Sequence, residues 1–149
     1  LTKRQVSACV AAAARAGGAS VFAELGCQLP HMRLSGPEGW YESPHSGGLG
    51  WALPAAMGFR MARPDRPVIA TMGDGSFIFA NPTACLQAAR AEGLSLVVVV
   101  LDNAEWGAVR QGVLHLYPHG RAAAANSVPL TDLSPSPDFA ALARSGGAA

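Results

Sequence analysis

An apolar run, Val68-Ile69-Ala70-Thr71-Met72, breaks off at Gly73-Asp74-Gly75-Ser76, and a second one over 95–101 breaks off at Asp102-Asn103. If both runs are parallel strands joined by one right-handed crossover helix, their ends lie at the same edge of a sheet. Open α/β sheets bind ligands there, beyond the carboxyl ends of the strands. Asp74 and Asp102 would then share a crevice with low-dielectric walls, where like charges raise a carboxyl pKa unless a positive charge intervenes. Carboxylate, amide and backbone oxygens suit Mg²⁺, whose remaining octahedral positions go to water and phosphate. Gly73 and Gly75 allow a sharp turn and close approach of the backbone to a ligand. Backbone N–H groups near Ser76 are placed to cradle a phosphate. Gly-Asp-Gly alone is a common turn, and so is Asp-Asn after a strand. The combination with an intervening helix is the specific signal. GDGSFI lacks the third glycine of GxGxxG, and no GxxxxGK[ST] occurs, so a Rossmann-type nucleotide site fits less well.

The elements that must position these residues follow from punctuation and periodicity. Residues 3–16 are Ala-rich and stopped by Gly17-Gly18, which predicts a helix. Residues 19–25 read as a short buried strand. Residues 26–48 carry Gly, Pro, Ser and His without a period and read as a long loop of the kind that is usually functional. Residues 51–63 are helical in pattern, with Pro54 tolerated only in the first turn. Asn81-Pro82 predicts an N-cap and first helical position, and the helix runs to about Glu92 before Gly93. The run over 95–101 is continuously apolar, as in a parallel strand covered on both faces. A helix is expected over 105–116, a Pro-rich loop over 117–137, and a last helix over 138–144 with Asp138 near its start. Alternating strands and helices predict an α/β fold, an open, mostly parallel sheet with helices on both faces.

Composition bounds the alternatives. The chain has 149 residues, half of them hydrophobic and 14% charged, with a net charge of +1. That size suits one domain, and the apolar content argues against disorder. No basic stripe is present, so nucleic acid is not an expected partner. The longest apolar run, 96–101, is far short of the ~20 residues that cross a bilayer, so a soluble chain with no membrane partner is expected. Cys9, Cys27 and Cys85 form no CxxC pair and read as buried free thiols in a reducing compartment, the cytoplasm. His115 and His119 are separated by Pro118 and make no zinc pattern. The chain starts at Leu1 and ends Ser145-Gly146-Gly147-Ala148-Ala149, so both ends read as cut.

From about residue 17 to 115 the sequence resembles the thiamine-diphosphate-dependent enzymes, in their diphosphate-binding (PP) domain, as found in acetolactate synthase or benzoylformate decarboxylase. Gly73-Asp74-Gly75 followed by a strand ending in Asp102-Asn103 is similar to the family motif of GDG and a terminal Asn-Asn. Ser46-Gly47-Gly48-Leu49-Gly50-Trp51-Ala52-Leu53-Pro54 resembles the stretch under the cofactor rings. Trp106-Gly107-Ala108-Val109-Arg110-Gln111 is similar to the Leu-Gly-Met-Val-x-Gln of acetolactate synthases, where pyruvate decarboxylases carry an acidic residue at the place of Val109.

The resemblance implies thiamine diphosphate and Mg²⁺ as cofactors. It implies a metal held by Asp74, the Asn103 side-chain oxygen and the Glu105 carbonyl. Gly75 and Ser76 would donate N–H groups to the diphosphate beside Gly73. The Gly47 carbonyl would accept from the 4′-amino group, and Leu49 would be an apolar wedge that keeps the cofactor bent. Gly48 and Trp106 complete the implied cofactor site. Asp102 departs from the family's first Asn, and Glu105 stands where a small residue is usual. The family's catalytic glutamate sits on a separate pyrimidine-binding domain, which is expected to lie outside these 149 residues. Glu24 and Glu38 belong to the wrong domain for that role. The implied activity is therefore half of a 2-oxo acid decarboxylase or carboligase, completed by a pyrimidine-binding domain or subunit in a homodimer or tetramer. A non-catalytic binding module of the same fold stays open as the alternative.

Overall fold

The computed structural model describes residues 1–34, 36–125 and 128–148. Positions 35, 126, 127 and 149 fall in the expected loops 26–48 and 117–137 and at the expected cut end, and they lie outside the described residues. Four strands, β1 (Ser20–Glu24), β2 (Trp40–Glu42), β3 (Val68–Gly73) and β4 (Val97–Leu101), form one sheet in the order β2-β1-β3-β4. Every pairing is parallel, with Val21 opposite both Trp40 and Ile69, and Gly73 opposite Leu101. The expected parallel sheet is therefore present, and β3 and β4 end level with each other, but β4 is an edge strand with Val97 exposed and the rest half-buried, not covered on both faces as its apolar run suggests.

Alternation along the central strands assigns the two faces. Val21 and Ile69 pack with Val10, Ala11 and Ala14 of α1 (Lys3–Gly17). Phe22, Ala70 and Met72 point the other way, onto Ala52, Leu53, Ala56 and Met57 of α2 (Ala52–Ala62) and Ala89 of α4 (Pro82–Ala91). Small residues on the helices let them lie close to the strands. α1 opens on a capping box between Thr2 and Gln5 and stops at Gly18, which takes the left-handed φ of 63° that the Gly-Gly signal predicts. Pro54 lies in the first turn of α2, as its missing N–H requires.

The structure departs from the sequence reading in several places. β2 and a single 3-10 turn at Leu29–His31 occupy part of the expected loop 26–48. Three residues carry no legible period; β2 exists because it pairs with β1 and because Tyr41 stacks on Phe22 at 4.6 Å, with Phe59 5.4 Å from both rings. The expected turn at Gly73-Asp74-Gly75 is instead a helix N-terminus: α3 runs Asp74–Phe79 with Gly73 as its N-cap. Asn81 holds the N-cap position of α4, but at φ 52° and without a side-chain cap, because the chain turns there directly out of α3. α5 spans Gly107–Leu116, which leaves His115 and His119 on different elements. A short α6 (Arg121–Ala124) interrupts the expected loop 117–137. α7 (Phe139–Ser145) is capped by Asp138, whose carboxylate accepts from Ala141 N–H at 2.8 Å. All three cysteines are free, but of the three only Cys27 is buried; Cys9 is exposed and Cys85 half-buried. Among the described residues, no helix is long and apolar enough to cross a membrane.

Candidate functional site

Two strand ends and one glycine-rich segment converge at the carboxyl edge of the sheet. Gly73, Asp74, Gly75 and Ser76 at the β3–α3 junction line a groove of about 870 Å³, together with Asn103, Glu105 and Trp106 beyond β4 and with Leu49. Gly47 and Gly48 do not line it. Gly47 closes a turn by donating its N–H to Pro44 O at 2.8 Å, and a Cβ on Gly48 would meet nothing within 4 Å beyond its chain neighbours.

Asp74 organises the site. It is 3% exposed, and its carboxylate ties two segments together. Gly75 N–H donates to Oδ1 at 2.9 Å and Glu105 N–H donates to Oδ2 at 3.2 Å. No Lys, Arg or His pairs with it among the described residues. The side-chain amide of Asn103 stands 3.1 Å from both Asp74 Oδ1 and the Glu105 carbonyl oxygen, and its nitrogen donates to the two. Turned over, the amide would present its oxygen to the same point, where a cation would meet three oxygens. One carboxylate, one amide and one carbonyl form a hard donor set, of the kind Mg²⁺ accepts and soft metals do not. Among the described residues no cluster of three or more His, Cys, Asp or Glu offers a rival metal site.

The glycines act differently from the simple expectation. Gly73 has an ordinary φ of −74° and nothing of this chain within 4 Å of where a Cβ would sit, so its surroundings are open. A Cβ on Gly75 would come within 2.5 Å of the Trp106 ring. The close approach at Gly75 is therefore by an aromatic side chain, and its N–H is already turned to Asp74.

The loop after β4 is braced by residues that the sequence reading passed over. Ala104 takes φ 54°, a left-handed conformation, and Leu133 N–H donates to its carbonyl at 2.8 Å. Trp106 N–H donates to Thr131 O at 2.8 Å. Glu105 pairs with Arg110 at 3.0 Å, which offsets the extra charge beside the site. Asp102 lines the groove with Asp74 as expected, but its carboxyl is exposed and is not pushed up in pKa. The Ser136 hydroxyl (2.8 Å) and then the Ala104 N–H (2.9 Å) hold its carboxyl below the usual range. A depressed folded-state pKa adds stability above the unfolded pKa, and that stability is lost as pH falls through the folded one. An Asn amide oxygen can accept both hydrogen bonds. Asp102→Asn should therefore change stability at pH 7 by less than about 1 kcal/mol, solvent screening keeping the exposed charge weak. Wild type should approach the variant in stability on acidification. Urea melts at pH 7 and pH 3 check this, and a loss of several kcal/mol at pH 7 would show that the loop needs the charge.

Glu24, set aside on sequence grounds, ends β1 at 3% exposed and accepts hydrogen bonds from Gly50 and Ala52 N–H. The signal that could have found it is an acidic residue closing the fully buried strand SVFAE.

Residues 11–149 match the family model of the thiamine pyrophosphate enzyme, C-terminal TPP binding domain. The acetolactate synthase large subunit of Parasynechococcus marenigrum (strain WH8102) is 39% identical over 117 residues, 78% of this chain and 18% of that protein. Benzoylformate decarboxylase of Pseudomonas aeruginosa is 39% identical over 111 residues, 73% of this chain and 19% of that protein. The solved thiamine diphosphate-dependent 4-hydroxybenzoylformate decarboxylase of Rhodococcus jostii RHA1 superposes with a TM-score of 0.74 at 32% identity, over 95% of this chain and 26% of its own. The chain thus spans about a fifth of the curated relatives it matches. It belongs to the thiamine pyrophosphate enzyme family, through the C-terminal TPP-binding domain.

Proposed function

We propose that this chain is the metal and diphosphate half-site of a thiamine-diphosphate-dependent enzyme that decarboxylates or ligates 2-oxo acids, acetolactate synthase-like in kind. The observation that carries the reading is that the Asn103 amide stands 3.1 Å from both Asp74 Oδ1 and the Glu105 carbonyl oxygen, so that turning it over gathers three hard oxygen donors around one point. Asp74, Asn103 and the Glu105 carbonyl hold Mg²⁺. Gly73, Gly75 and Ser76 present backbone to the diphosphate, with Gly75 yielding its N–H from Asp74 to do so. The Gly47 carbonyl and Gly48, beside Leu49 but outside the groove lining of this cofactor-free chain, come to border the aminopyrimidine when the cofactor binds, Leu49 keeps the two rings folded, and Trp106 closes the site over Gly75. When bound, thiamine diphosphate supplies the nucleophilic carbon and the electron sink for cleaving or forming the bond beside a 2-oxo carbonyl. Catalysis is completed by a glutamate from a pyrimidine-binding domain or subunit, within a homodimer or tetramer, in the cytoplasm. The exposed Leu49, Ile78 and Phe79 at this edge suit coverage by such a partner.

Identity to the acetolactate synthase and benzoylformate decarboxylase relatives is the same, 39%, and it is the stretch over 106–111 that leans the reading toward the acetolactate synthase group, hence toward pyruvate and carboligation. The test is product analysis with the full-length protein, thiamine diphosphate and Mg²⁺. Acetolactate and CO₂ from pyruvate are expected. Benzaldehyde from benzoylformate, with pyruvate untouched, would move the assignment to a decarboxylase. Cofactor bound without turnover of any 2-oxo acid would leave a non-catalytic binding module.

A further inference from the structure

Glu24 is a buried carboxylate with no part in the site as described, and a buried charge is costly unless its oxygens are hydrogen-bonded. Both oxygens are engaged by backbone: Oε1 accepts from Gly50 N–H at 2.6 Å and Oε2 from Ala52 N–H at 2.9 Å. No Lys, Arg or His pairs with it among the described residues. Its charge faces the first turn of α2, the positive end of that helix. Gly50 is held from another side as well. At φ 85° it lies so close to α3 that a Cβ would meet Ala80 N at 2.6 Å. Leu49, immediately before this anchored residue, is 39% exposed and lines the groove with Asp74 and Ser76. Its own packing is too slight to fix it, so the anchorage of Gly50 sets where it stands.

We propose that Glu24 is a positioning residue: its two-pronged carboxylate clamps the backbone that follows Leu49 and so sets the height of that side chain over the cofactor site. The proposal rests on the cofactor reading above for its catalytic consequence, but not for the clamp itself.

Glu24→Gln in the full-length protein tests both parts. Glutamine has the same shape, keeps one acceptor and turns an NH₂ group against the other N–H. In the cofactor-free protein, amide hydrogen exchange at Gly50 and Ala52 should quicken by about tenfold or more, with β1 and β3 unchanged. With cofactor and Mg²⁺, kcat per bound cofactor should fall by about 30-fold or more, while cofactor Kd stays within about threefold. In a Leu49→Ala background the same change should alter kcat by less than about threefold, because the side chain it positions is gone. Exchange that rises equally throughout β1 and β3 would make Glu24 a general stabiliser and overturn the proposal. So would a kcat loss that recurs undiminished beside Leu49→Ala. Should the wild-type protein bind no thiamine diphosphate, the cofactor reading falls, and hydrogen exchange alone decides the clamp.

Discussion

Replacing Asp74 by alanine in the full-length protein is expected to abolish Mg²⁺-dependent binding of thiamine diphosphate. Asp74 supplies the only ionised oxygen among the three that a cation would meet, so its removal leaves an amide and a carbonyl to hold a divalent cation. The loss of affinity should exceed about 100-fold, more than is typical when a group that merely supports a metal ligand is removed. A second effect accompanies it. Gly75 and Glu105 N–H both donate to this carboxylate, and a buried donor left unpaired costs about 1–3 kcal/mol, so the variant should also melt earlier. Asp74→Asn separates the two effects, since it retains an acceptor of the same reach without the charge. It should recover part of the stability but little of the metal-dependent affinity. Titration calorimetry of cofactor into each variant, beside thermal melts, reads both quantities. Wild-type affinity in a folded Asp74→Ala protein would remove Asp74 from the metal site.

The second large effect belongs to Leu49. A fully buried leucine cut to alanine costs about 2–5 kcal/mol, but this one is 39% exposed and lies outside both core clusters. Leu49→Ala should therefore cost less than about 1 kcal/mol of stability. Its catalytic effect should be much larger. A side chain that holds two rings in a reactive fold contributes orientation, and a misplacement of about 1 Å can cost 100-fold in rate. The diphosphate is anchored elsewhere, by Asp74 and the start of α3, so affinity for cofactor should change far less than kcat. Melting temperature and kcat per bound cofactor, measured on one preparation, distinguish the outcomes. A large drop in melting temperature with unaltered kcat would make Leu49 a packing residue.

Sequence carried the parts of the fold that depend on local pattern. The apolar runs of β3 and β4, the glycine stop after α1 and the aspartate cap of α7 are each written within a few residues. β2 was not legible, because Trp40–Glu42 is strand only through pairing with β1 and the stacking of Tyr41 on Phe22. α3 was hidden for a related reason. It begins with Asp74-Gly75, which reads as a turn, and its six residues are too few to show a helical period. The residue types of the metal site were legible, but the brace around it was not. Ser136 reaches Asp102 across 34 positions and Glu24 reaches Gly50 across 26, and such contacts leave no mark on neighbouring residues.

The central claim is that this edge of the sheet binds thiamine diphosphate through a divalent cation. The most direct measurement is equilibrium binding of the cofactor to the full-length protein, in Mg²⁺ and again in excess chelator. Cation and cofactor share one site in this account, so each must raise the affinity of the other by the same factor. Affinity in Mg²⁺ should exceed that in chelator by about 100-fold or more, a coupling of about 2.7 kcal/mol. Equal affinity under the two conditions, or no binding in either, would contradict the account.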